Sequence, residues 1–129
     1  METAMNLIAG AGDSRSFCVE AIGLAREGDF TEARRLIEKA VETMIMTHEA
    51  QTQLIRDEID GKAGSVTLLM AHAQDHLNLA LITRDMAEEM ILLYERISKL
   101  EVAVHAPPQR DGVDSYRDAD RRRASAKLS

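Results

Sequence analysis

The segment Leu68–Ala80, LLMAHAQDHLNLA, carries His72 and His76 four residues apart in a run otherwise rich in apolar helix formers. Residues four apart in a helix lie one turn above each other on the same face. Asp75 stands three residues after His72 and one before His76, so its side chain leaves the same turn at a different angle. Imidazoles and carboxylates are costly to bury unpaired, which makes this turn the place to look for chemistry. Working outward, Leu69, His72, His76, Leu79, Thr83, Met86, Met90, Leu93, Ile97 and Leu100 follow a three-four alternation. That heptad-like seam predicts one long helix from about Val66 to Val102, with Ser65 as its N-cap and both histidines on the seam. A second line through Asp75, Asn78 and Ile82, flanked by Leu68 and Leu81, adds apolar surface beyond what three helices can bury. Oligomerisation follows as an expectation.

Upstream, Gly28-Asp29 punctuates the chain. Glycine suits the left-handed position after a helix end, and Asp29 with Glu32 three residues on reads as a variant capping box. A first helix is expected over about Thr3–Glu27, with Met5, Ile8, Gly12, Val19, Ile22 and Arg26 on one face. A second runs from Phe30 to near Asp60 through Ala33, Ile37, Ala40, Met44, Thr47, Gln51 and Leu54. The connector Gly61-Lys62-Ala63-Gly64 is short, so the third helix should return antiparallel to the second. The domain reading is therefore an all-α helical body over 1–106, then a flexible polar tail over 107–129 that opens with Pro107-Pro108. RRRAS, near the end of the tail, has the composition of a basic docking or phosphorylation patch, but an expression scar or plain disorder is the simpler reading.

The composition narrows the function. The chain has a formal net charge of −6 and a sequence pI near 5.2, which argues against nucleic acid as a partner. The tail holds six basic and four acidic residues, leaving −8 on the body. Aromatic content of 3% and the lack of Trp argue against a β-sandwich or an aromatic ligand cage. No apolar run approaches the ~20 residues that span a bilayer, so membrane insertion is not expected. Cys18 has no internal disulfide partner, which fits a reducing cytoplasm.

Three chemistries remain open at the histidines. His72 on an apolar seam reads first as a structural core histidine, hydrogen-bonded to a neighbour. The i, i+4 pair also matches helical zinc sites, although HAQDH lacks the metalloprotease glutamate, and His48 is a third ligand only if the registers meet. Covalent catalysis is the third: neutral imidazole is a good nucleophile towards phosphorus. A helical metal-binding protein using His72 and His76, and a plain coiled-coil oligomerisation module, are the rival functions.

AHAQDHL, preceded by AREGDFTEARRLIEKA and THEAQTQLI, together with AGDSRS at residues 11–16, resembles the IIA component of the bacterial sugar phosphotransferase system, lactose/cellobiose (diacetylchitobiose) class. The resemblance covers about Met5 to Leu100. It implies an antiparallel three-helix bundle, spectrin-repeat-like, assembling into a homotrimer in the cytoplasm. It implies that His72 accepts a phosphoryl group from HPr as a tele-phosphohistidine and passes it to a cysteine of the cognate IIB, for uptake of a β-linked disaccharide through the membrane IIC. His76 is implied to support the site. Asp75 is implied to bind a divalent metal, Mg²⁺, at the trimer axis, about one ion per trimer. Asn78 stands where the family usually has Met, and the tail beyond Val104 is longer than the family pattern. His48 is expected to make a buried hydrogen bond between helices, and Cys18 to be a small core residue.

Overall fold

The computed structural model describes residues 1–62 and 64–107, and among these it contains three helices and no strand. They are α1 (Glu2–Arg26), α2 (Phe30–Ile59) and α3 (Leu68–His105). The chain runs up, down and up again. Gln51 meets Gln74 and Arg34 meets Glu95, so α2 and α3 are antiparallel as expected. The tail beyond Pro107 and its RRRAS sequence lie outside the described residues.

Both turns are built by glycine. At the end of α1 the amide of Gly28 donates to the carbonyl of Ala25 and that of Asp29 to Leu24, with Gly28 at φ +88. At the end of α2 Gly61, at φ +69, donates to Glu58, and Lys62 donates to Asp57. Each pattern is a Schellman stop, in which a left-handed residue satisfies the last orphan carbonyls of the helix. Asp29 then caps α2, accepting from the Glu32 amide at 3.1 Å. Half of the predicted capping box is made, because Glu32 turns instead to Arg35. The start of α3 is corrected from Ser65 to Thr67, whose side chain accepts from the Met70 amide at 3.2 Å. Val66 is 71% exposed and gains nothing by entering the helix.

Helix α1 is the central element, packed along its length on both α2 and α3, which touch each other less. Its buried line is Ala4, Leu7, Ala11, Ser14, Cys18, Ala21 and Ala25, not the face through Met5, Ile8, Val19 and Ile22. Met5 and Val19 are more than half exposed. Helix backbones that approach closely select small side chains, so the larger apolar residues fall beside the contact. The same offset holds on α3. Its buried line is Ala73, Leu77, Ala80, Ala87 and Ile91, one residue on from the predicted seam. The seam itself faces outward: Leu79, Met86, Leu93 and Leu100 are each half exposed or more. The predicted face of α2 is correct through Ala33, Ile37, Ala40, Met44 and Thr47.

Polar groups are used sparingly inside. Ser14 donates from its hydroxyl to the Ala40 carbonyl at 2.9 Å, pinning α1 to α2 in the core. Cys18 is fully buried, as expected of a small core residue. Burial pushes its thiol above the ordinary range, opposed by Arg84 and reinforced by Glu88. A thiol reagent at mildly alkaline pH should therefore leave native Cys18 unmodified and label it only as denaturant unfolds the bundle.

The tightest approach lies at Gly10, where an added Cβ would sit 2.2 Å from the Thr47 hydroxyl oxygen. Thr47 is buried and its hydroxyl donates to the Thr43 carbonyl, so it has little room to yield. Gly10→Ala gains about 1 kcal/mol of helix propensity but introduces an overlap that costs roughly 1–3 kcal/mol. We expect net destabilisation in a urea titration, relieved when Thr47→Ala is combined with it.

Candidate functional site

The turn bearing His72 is held on two sides and open on the third. Ala73 and Leu77 are fully buried, Ala73 against Ala4 and Leu7, and Leu77 with Ala11 and Met44. Gln74, between them in sequence, is hydrogen-bonded to Gln51 of α2. Helical geometry therefore sends His72, Asp75 and His76 away from the core. His72 and Asp75 are exposed and His76 is half-buried. The reading of His72 as a buried core histidine is corrected: the buried line passes through its neighbour Ala73.

The two rings meet edge to face, with centroids 4.6 Å apart and planes at 90°. Their Nε2 atoms are 3.1 Å from each other. One ring must then donate through Nε2 while the other accepts there, because two neutral acceptors or two donors give no hydrogen bond. The accepting ring holds an unprotonated Nε2, the form of imidazole that attacks an electrophile once the donor ring's N–H turns away.

Asp75 has no cationic partner within 4.0 Å among the described residues, and it shares its face with exposed Leu79 and Ile82. Within one chain, no group of three or more His, Cys, Asp or Glu side chains among the described residues is arranged to hold a metal ion. His48 does not join the pair. It is exposed on α2, beside Ile45, Glu49, Thr52 and Arg56, so the expected buried hydrogen bond between helices is corrected too. Position 48 lies about 100° around the helix from buried Thr47, which is enough to bring it out of the interface. Sequence reasoning missed the Gln51–Gln74 link, because two amides at helix surfaces give no signal until the register is known.

Residues 2–95 match the family described as PTS system, lactose/cellobiose specific IIA subunit. The chain belongs to that family. It is a component of a phosphotransferase system for sugars of the lactose/cellobiose type. It is 45% identical over 93 residues to the lichenan-specific phosphotransferase enzyme IIA component of Bacillus subtilis, covering 72% of this chain and 84% of that one. The crystal structure of the cellobiose-specific enzyme IIA from Bacillus anthracis superposes with a TM-score of 0.74 at 36% identity, over 76% of this chain and 90% of that chain. The IIA(Chitobiose) component of Escherichia coli, solved in complex with HPr, superposes at 0.67 with 31% identity, over 75% and 94% of the two chains. Both structural neighbours are IIA proteins, which agrees with the helical bundle expected from the sequence.

No helix among the described residues is long and apolar enough to cross a membrane. Because His72 is exposed while Leu77 is fully buried, their truncations should differ sharply in their effect on folding. His72→Ala should move stability by no more than about 0.5 kcal/mol, whereas Leu77→Ala should cost roughly 2–5 kcal/mol. Thermal unfolding followed by circular dichroism checks both.

Proposed function

We propose that this chain is a phosphocarrier: Nε2 of His72 accepts a phosphoryl group from phospho-HPr and donates it to a cysteine of the cognate IIB. The observation that carries the reading is an exposed His72 whose Nε2 is met by the Nε2 of His76 at 3.1 Å. With His76 as donor, His72 keeps its proton on Nδ1, and its Nε2 lone pair accepts the His76 N–H until the phosphoryl group displaces it. As the phosphoryl group arrives, the bond from phosphorus to the HPr imidazole breaks and the bond to His72 Nε2 forms. The His76 N–H then turns to a phosphoryl oxygen, where negative charge is concentrated. Such transfers pass through a loose transition state, so the protein contributes mainly position and charge. The buried neighbours Ala73 and Leu77 supply that position. The complex of the Escherichia coli relative with HPr supports the choice of donor.

The transported sugar is a β-linked disaccharide of the lactose, cellobiose or chitobiose kind, carried by the membrane IIC while this subunit works in the cytoplasm. Three chains assemble through the outward stripe of α3, where Ile82, Met86, Leu93 and Leu100 would otherwise leave apolar surface in water. In that trimer Asp75 comes together with its two copies. Three carboxylates in a poorly hydrated setting retain a proton or gather a cation, and oxygen donors suit a hard ion such as Mg²⁺. An unpaired Asp75 on an apolar face fits this role. The ion would hold subunits together, and the transfer chemistry stays with the histidines.

Incubation with enzyme I, HPr and phosphoenolpyruvate should place one acid-labile, alkali-stable phosphoryl group per chain. His72→Ala should abolish labelling and His76→Asn should retain part of it; phosphate mapped to His76 or His48 would refute the assignment. Ending the chain after Ala106 should leave transfer and assembly unchanged. Light scattering and metal analysis test the axis. Asp75→Leu should lose about one divalent ion per three chains and keep or strengthen the trimer, since apolar replacement of buried charge is often neutral or stabilising.

A further inference from the structure

We propose that His72 and His76 also form a two-point chelate for a borderline transition-metal cation, Zn²⁺ foremost, and that filling it blocks the phosphoryl acceptor. The ring geometry carries this. The two Nε2 atoms stand 3.1 Å apart on the open side of α3. Two imidazole nitrogens each 2.0–2.1 Å from a tetrahedral zinc lie about 3.3 Å from one another. The helix thus holds both donors near bite distance before any ion arrives. Ala73 and Leu77, fully buried on either side, keep the turn rigid, so little ordering is left for binding to pay.

The proton balance closes without a co-reactant. In the free pair one ring donates through Nε2. On binding, that ring carries its proton on Nδ1 instead, and both Nε2 lone pairs turn to the ion. No proton is released and nothing is oxidised or reduced. Waters complete the shell, because no third His, Cys, Asp or Glu of the same chain is in place among the described residues. Nitrogen donors select zinc or copper over magnesium, which separates this site from the oxygen-only Asp75 position. The regulatory half rests on the acceptor role proposed for His72: one Nε2 lone pair serves phosphorus or the metal, never both.

The test uses the full chain, purified phospho-HPr as donor and excess magnesium throughout. Zinc binding is read by competition with a colorimetric zinc chelator. Wild type, Asp75→Leu and His48→Ala should each bind one zinc per chain with like affinity. Loss of an outer-shell contact alone weakens metal sites 10–100-fold, so removing a ligand in His72→Ala or His76→Ala should cost roughly 100-fold. Zinc should slow phosphorylation of wild type, a zinc-selective chelator should restore it, and the transfer remaining in His76→Ala should be insensitive to the same zinc. Binding that survives in His72→Ala, or disappears in Asp75→Leu or His48→Ala, would overturn the chelate. Zinc bound at the pair with undiminished phosphorylation would overturn the regulation. A chain that takes no phosphate even without zinc would remove the regulatory half together with the phosphocarrier reading, and the chelate would still be decided by the binding curves.

Discussion

The close approach of α1 to its two neighbours is the constraint on which the other features depend. More than half of the buried apolar residues are alanine, and Gly10 leaves no room for a methyl group against Thr47. A core this thin contains few large side chains: among the described residues that are fully buried, only Leu7 and Leu77 exceed cysteine in size. Its cohesion comes from many short contacts along long helices rather than from a few large anchors. The polar contact buried between α1 and α2, Ser14 to the Ala40 carbonyl, fits the same tight spacing, since a longer donor would push the backbones apart.

Filling the interior with small residues has an outward consequence. The larger apolar side chains of α3, from Leu68 through Ile82, Met86 and Leu93 to Leu100, are left on the solvent side. The histidine pair stands on this same side, so the exposed imidazoles and the apolar surface are products of one packing decision. A phosphoryl carrier, the role proposed for this chain, benefits from that coupling. Its acceptor must be reachable by donor and recipient in turn, yet must not wander, and a side chain beside two fully buried helical neighbours meets both conditions.

Fold class, helix number and the antiparallel return were legible in the sequence because punctuation is local. Gly28-Asp29 and Gly61 specify where helices stop through backbone conformations that the reader can infer residue by residue. The face that each helix buries was harder. Reading by hydrophobic size selected Met5 and Val19 on α1 and the Leu79-to-Leu100 seam on α3, one residue away from the true contact lines. Alanine, serine and cysteine define those lines, and they carry weak hydrophobic signals although they decide how near two backbones come. The α2 face was read correctly because Ile37 and Met44 there face the core. The motif around His72 was legible as a cluster, and its ring-to-ring contact followed from i, i+4 spacing; that the cluster points outward was not, because exposure depends on which neighbouring line is buried.

In the phosphocarrier proposed above, one turn of α3 has to serve two masters, and helical geometry lets it. Successive residues are about 100° apart, so His72 and Asp75 diverge by about 60°. Over that angle one side chain can present a nitrogen to a protein docking from solvent while the other leans towards copies of its own helix. A strand could not divide the work this way, since its alternate residues point in opposite directions. A loop could, but without the rigidity that Ala73 and Leu77 impose. On that proposal acceptor and assembly share a single rigid rod, so that subunit packing would also orient the acceptor. A site of this kind can be steered by association and still exchange its phosphoryl group freely with a passing partner.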